Sequence, residues 1–237
     1  MNPRSRMIDV CKAILVLQFA LIGTLKADIT VTIVLDEFDF AQSLDTGSGS
    51  PAQSTVTDAG LLGGERIFDL TTTSPSIFNR LRTGTFLGNT DLLLSTEPGD
   101  SSTSVVTYDG TDANGLNSYD VTIAGGTHFF MRMDNLDSEA NWTLRLTDMS
   151  DNSDSSLLSL SAGSSDILMP FSNFSGVDLT DLKEISFSIQ STEVSGGLDF
   201  ALDSFGVGHI PEPSTSILLL GTLVPTLLRR RRPSRCR

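Results

Sequence analysis

The chain has 237 residues, two histidines, two cysteines and a formal net charge of −13. Its cations crowd toward the two ends, and residues 28–209 carry 27 acidic side chains against six basic ones, a net of −21. That balance excludes nucleic-acid binding, which needs clustered Lys and Arg against phosphates, and two histidines exclude metal catalysis by a histidine cluster.

Residues 1–27 read as a secretory signal. Arg4, Arg6 and Lys12 form a basic n-region, residues 13–23 an apolar h-region, and Ala27 is the expected cleavage position. The segment predicts a signal helix, and signal peptidase and the secretion machinery as its partners. Cys11 precedes the h-region, which argues against a lipoprotein signal. Cys236 lies in the opposite tail, so residues 28–209 contain no cysteine and must be held by core burial rather than disulfides.

Residues 28–209 have the length of one domain, and short alternating runs between Gly, Asn, Asp and Ser turns give it an all-β pattern. Strands are expected at 29–34, 65–70, 104–108, 119–123, 128–133, 142–146, 157–160, 167–171 and 185–190. Trp142, Leu144 and Leu146 should face one way and Thr143, Arg145 and Thr147 the other; Ile185, Phe187 and Ile189 alternate with Ser186, Ser188 and Gln190. Residues 134–138 have the composition of a hairpin-type turn. Near the end, Leu198, Phe200 and Leu202 alternate on even positions while Phe205 and Val207 continue on odd ones. A period of two cannot change phase without an extra residue, so a bulge or bend is expected at Asp203-Ser204. Residues 45–57 and 150–156 read as polar loops, and 179–183 as a short helical turn capped by Asp178 or Thr180. About ten short strands over this length predict a β-sandwich or jelly roll.

Asp36-Glu37-Phe38-Asp39 after the first strand, Gly63-Gly64-Glu65-Arg66, and the closing strand over 198–207 carry a resemblance. The domain is similar to the galactose-binding-like carbohydrate-binding modules, jelly rolls whose two chain ends lie in adjacent strands. The resemblance implies that a structural calcium can sit between those ends. Asp36, Glu37 and Asp39 at one end and Asp199 and Asp203 at the other are the candidate oxygen ligands, with exposed acids flanking strands as the plainer reading. Asp109, Asp112 and Asn114 have loop-like spacing but lack the closing glutamate of an EF-hand. Tyr108, before the Asp109-Gly110 turn, is the candidate platform for stacking on a sugar. A nucleophile–base pair would have to use His128, which sits in an apolar strand beside Phe129 and Phe130.

Residues 210–237 close the chain. The uncharged run over 214–228 is shorter than the roughly 17–20 residues a full crossing takes and contains Pro225. Arg229, Arg230, Arg231 and Arg232 follow it directly; they can snorkel to lengthen the span and they fix its orientation with the arginines cytoplasmic. A short hydrophobic helix, transiently inserted, is the expectation. Pro211-Glu212-Pro213, the apolar run and the arginine cluster, in that order, resemble the PEP-CTERM sorting signal of exported bacterial proteins. The resemblance implies recognition by an exosortase, a transpeptidase-like membrane enzyme. Cleavage is then expected near Pro211-Glu212-Pro213, with passage from an inner-membrane intermediate to the cell surface or extracellular matrix.

Three functions remain open on the sequence. One is a non-catalytic structural or adhesive sandwich, and another a calcium-assisted module for extracellular polysaccharide. The third is a polysaccharide hydrolase or lyase built on a carboxylate pair.

Overall fold

The computed structural model describes residues 29–47, 50–74, 76, 78–86, 89–111, 114–191 and 197–210. The signal segment with Ala27, the Pro211-Glu212-Pro213 motif, the apolar run, Arg229–Arg232 and Asp112 lie outside the described residues. Thr30–His209 forms one compact unit. Among the described residues no helix is long and apolar enough to cross a membrane.

Thirteen strands are described. The first half of the unit holds β1 (Thr30–Asp36), β2 (Ser43–Asp45), β3 (Ala52–Thr57), β4 (Glu65–Thr72), β5 (Arg80–Phe86), β6 (Asn89–Ser95) and β7 (Ser102–Tyr108). The second half holds β8 (His128–Leu136), β9 (Ala140–Asp148), β10 (Ser153–Leu160), β11 (Asp166–Pro170), β12 (Leu182–Ser191) and β13 (Phe200–His209). They form two antiparallel sheets. One has seven strands in the order β11-β8-β13-β6-β5-β2, with β1 also paired to β13; the other has six, β10-β9-β12-β7-β4-β3. This is a β-sandwich, and its first and last strands are neighbours, with Thr30 opposite His209.

The core is the meeting of the two inner faces. Trp142, Leu144 and Leu146 of β9 and Ile185, Phe187 and Ile189 of β12 are buried, as their alternation predicts. Opposite them lie Phe129, Met131 and Met133 of β8 and Phe205 and Val207 of β13. Phe187 and Phe205 touch across the sandwich with ring centroids 4.9 Å apart. The phase change in β13 is real: its register against β8 shifts between Ala201 and Leu202 and again between Leu202 and Ser204. Just beyond, a side chain at Gly206 would collide with the Ile33 carbonyl and, at 2.8 Å, with the Phe130 ring. Glycine there lets β1 lie flat on β13.

Four expectations fail for physical reasons. The strand at 119–123 is a single bridge, Tyr119 to Leu182. Asp120 Oδ1 accepts from both the backbone N–H and the hydroxyl of Thr122, each at 2.7 Å, and this local turn takes the backbone out of a ladder. Asp178 does the same to Thr180, so 179–183 turns into β12 rather than coiling. The loop over 45–57 contains β3, a sheet-edge strand half exposed along its length that needs no apolar stripe. The loop over 150–156 ends early, because β10 begins at Ser153 opposite Thr147. In addition, β8 runs on to Leu136, moving the expected turn beyond it.

Candidate functional site

The five acids proposed for calcium are not all brought together: Asp36, Glu37 and Asp39 line one hollow, and Asp199 lies apart from it. Asp36 turns inward, and its Oδ2 meets Arg66 Nη1 at 2.8 Å. Glu37, Asp39 and Asp203 line one surface hollow beside Arg132. Asp199 lines another, and its backbone N–H donates to Asp137 Oδ1 at 2.9 Å. Among the described residues no group of three or more His, Cys, Asp or Glu is placed to hold a metal ion. Asp199, just before β13, and Asp203, within it, line different hollows, while the buried Arg66 pairs with Asp36.

Tyr108 also changes role. It is wholly buried, and its hydroxyl donates to Asp36 Oδ2 at 2.6 Å. An enclosed ring presents no face to a sugar. Burial, then the neighbouring Asp36 charge, raises its pKa well above the ordinary 10.0. His128 is half-buried at the start of β8, with Nδ1 2.8 Å from the Thr127 hydroxyl, and burial lowers its pKa.

Tyr108 and Asp36 belong to a buried clamp centred on Arg66. Besides Asp36, the guanidinium donates from Nε to Gln42 Oε1 at 2.9 Å and from Nη2 to the Phe40 carbonyl at 2.7 Å. Its Cζ lies 4.9 Å from the Phe68 ring centroid and 5.5 Å from that of Phe38. Asp36 Oδ1 accepts the Phe38 N–H at 2.6 Å, holding Phe38 at a positive φ of 57°. A buried arginine tolerates desolvation only with such complete pairing. The clamp ties the chain after β1 to β4 and β7, and its role is structural.

The opposite arrangement stands on the outer face of the seven-stranded sheet. Leu81 and Leu94 point into the core, so their neighbours Arg80, Arg82, Leu93 and Ser95 point out. Register aligns Ser43, Arg82, Leu93, Ala201 and Asn135 in one row across five strands. A hollow of about 450 Å³ lies over the row from Arg82 to Asn135, and its lining includes Phe78, Arg80, Arg82, Asn135 and Asp199. Phe78 is 65% exposed.

The segment carrying Phe78 has a firm base. Asn79 is buried, and its Nδ2 donates to Asp100 Oδ2 and to the Ser74 carbonyl, each at 2.6 Å. Its Oδ1 accepts the Glu97 N–H at 2.7 Å. Arg82 lies along its own strand: a Cβ built at Gly84 would be 3.7 Å from Arg82 Nη1. The hollow therefore combines an exposed aromatic ring, two guanidinium groups, an amide and a carboxylate over a small apolar floor. Such convergent planar polar groups beside an aromatic face can orient a polyhydroxylated ligand.

Of the residues around this hollow only Asp199 is a candidate site residue on the sequence, and Phe200 figures there only in the alternation of the closing strand. The signal was present in Arg80-Leu81-Arg82, an alternation with its one aliphatic side chain facing inward. Likewise, period-two reading of 65–70 puts Arg66 on the same side as Phe68 and Leu70.

No family model and no curated protein sequence matches the chain. Several solved structures align with it. The family 11 carbohydrate-binding module of the cellulosomal cellulase Lic26A-Cel5E of Clostridium thermocellum does so at 11% identity and a TM-score of 0.38, covering 73% of this chain and 98% of that one. TmCBM61, solved in complex with beta-1,4-galactotriose, gives 12% identity and 0.37, with 75% and 97% covered. An exo-beta-agarase gives 10% and 0.42, covering 78% of this chain and 25% of its own. At these scores the alignments assign neither family nor ligand.

Proposed function

We propose that the chain is an exported cell-surface or extracellular-matrix protein whose sandwich is a non-catalytic, adhesive module binding extracellular polysaccharide. The observation that carries the binding reading is the outer-face hollow with Phe78 at its rim and Arg80, Arg82, Asn135 and Asp199 around it. An aromatic ring stacks on the C–H face of a pyranose. Arginine, amide and carboxylate groups pair with neighbouring ring hydroxyls. Export rests on the signal-like residues 1–27 and on the likeness of 210–237 to a PEP-CTERM signal, with an exosortase as the processing partner.

A glycan array probed with the protein, with and without chelator, tests the binding. Saturable, chelator-insensitive binding that falls about tenfold in Phe78→Ala is expected; uniform blanks overturn it. Bound polymer should release no reducing ends or unsaturated products, which separates an adhesive module from a hydrolase or lyase. For the address, mass spectrometry of surface-associated protein should find a new N-terminus after Ala27 and a C-terminus near Pro211-Glu212-Pro213. An intact arginine tail on the mature protein contradicts the sorting reading.

A further inference from the structure

We infer that the outer-face site selects an acidic polysaccharide, one bearing uronate carboxylates along its length, and reads them with Arg80 and Arg82. This rests on the polysaccharide reading above and adds the ligand's charge class and its polymeric form.

The first ground is the distribution of cations. Residues 28–209 hold six basic side chains, and three of them are in ion pairs: Arg66 with Asp36, Arg132 with Asp166 and Lys183 with Asp151. Among the described residues Arg80, Arg82 and Arg145 are in none. Arg145 stands alone on β9, whereas Arg80 and Arg82 are two residues apart on one face of β5, about 7 Å from each other.

Arg80 and Arg82 are the two of these unpaired cations that share one strand face, both exposed. Neither Asp45 nor Asp199, the acids placed beside them, forms an ion pair with either arginine. Asp45 is the register partner of Arg80, but its Oδ1 accepts the Gly47 N–H at 3.1 Å. Asp199 is across the hollow on the segment entering β13 and is free to accept sugar hydroxyls.

The second ground is shape. Arg80 and Arg82 line not one hollow but two, because a second of about 380 Å³ lies on their far side against Ala41, Gln42, Ser43 and Thr83. The arginine pair is thus the ridge between adjoining depressions. A single sugar fills one hollow; a chain that continues across the ridge fills both and brings successive carboxylates past two guanidinium groups. Bidentate arginine–carboxylate pairing then supplies the selectivity.

The domain's overall negative charge does not oppose this at working ionic strength. Screening limits exposed charges to about 8 Å in physiological salt, so the local pair decides. The net field acts mainly at low salt, where it slows the approach of a polyanion.

The test measures binding of the full-length protein to polygalacturonate and to the same polymer after carboxyl reduction. Wild type should bind the acidic polymer at least tenfold more tightly than the reduced one. Arg80→Ala/Arg82→Ala should bind the acidic polymer about a hundredfold more weakly, a tenfold loss per arginine, with an unchanged thermal midpoint. Equal affinity for both polymers in wild type overturns the acidic class while leaving the polysaccharide reading intact. Binding of neither polymer, with blanks across neutral glycans as well, removes both. Equal binding to a DNA duplex of matched charge also overturns the inference, because it reduces the contact to bare attraction between charges.

Discussion

Arg66 and the Arg80/Arg82 pair are the same residue type in the same acidic domain, placed in opposite circumstances. Arg66 is wholly buried, and each of its three nitrogens donates to a named acceptor. Arg80 and Arg82 are exposed and in no ion pair among the described residues. The difference teaches where a scarce cation does which job. Inside, a charge is kept only if the fold is built around satisfying it. Outside, an unpaired one costs little and remains available to something else.

The strongest way to break this contrast is at Arg66. Arg66→Met leaves the Asp36 carboxylate buried without its cation and should cost about 3–5 kcal/mol, read as a lower midpoint in urea. Asp36→Asn/Arg66→Met removes the stranded charge as well and should lose less than Arg66→Met alone. A double variant as unstable as the single one breaks the argument.

Tyr108→Phe is next, at about 1–3 kcal/mol, since Asp36 then loses one of its donors. This substitution also has a pH signature. The Tyr108 pKa is raised on folding, so its contribution is complete below the ordinary 10.0 and is lost as pH rises beyond it, where the unfolded tyrosine ionises and the folded one resists. Wild type should lose stability above that pH, and Tyr108→Phe should lose less, retaining the alkaline losses due to Tyr119, whose pKa burial raises, and Lys183, whose pKa the Asp151 hydrogen bond raises.

Asp148 gives the acid counterpart. The Asn152 side-chain amide, and then backbone N–H groups of Asp178, Asn152 and Ser150, lower its pKa below the ordinary 3.8. A depressed value adds stability above the unfolded pKa and loses it as pH falls through the folded one. Asp148→Asn should therefore be less stable than wild type near neutrality and converge with it in acid, seen by thermal melts across that range.

The smallest expected effect is Arg80→Ala/Arg82→Ala on folding itself, within about 0.5 kcal/mol. A large loss there would make the pair structural and erase the contrast.

How much of this was legible in sequence depends on which faces were buried. β9 and β12 are buried on one face and carry strong apolar stripes, so Trp142, Leu144, Ile185 and Phe187 could be read directly. The bulge near Asp203 was visible because a phase change is a local fact. By contrast, β2, β3 and β5 pass few apolar residues through the core, and Leu44 and Leu81 alone do not make a period. The expected sites misled for a different reason. Acidic residues near both chain ends were read as mutual neighbours, which β1 and β13 are. Yet the Asp36 side chain is turned inward by Arg66, a partner 30 positions away in sequence. Tyr108 looked like a loop residue because a turn follows it, but its even-numbered place with Ser102, Ser104 and Val106 on β7 sends it inward.

The pairing of β1 with β13 has a mechanical meaning. β13 contributes Ala201 and Phe200 to the hollow and ends at His209, where the sandwich's own strands stop. If a bound polymer is tugged while the segment after His209 is held, tension runs along this one strand from ligand to attachment. β13 is flanked by β8 on one side and by β6 and then β1 on the other. Drawing it out means shearing ladders on both sides together, rather than peeling a free edge one hydrogen bond at a time. The bulge at Leu202–Ser204 lies on that path directly beside the hollow, so it is where the load would be felt first.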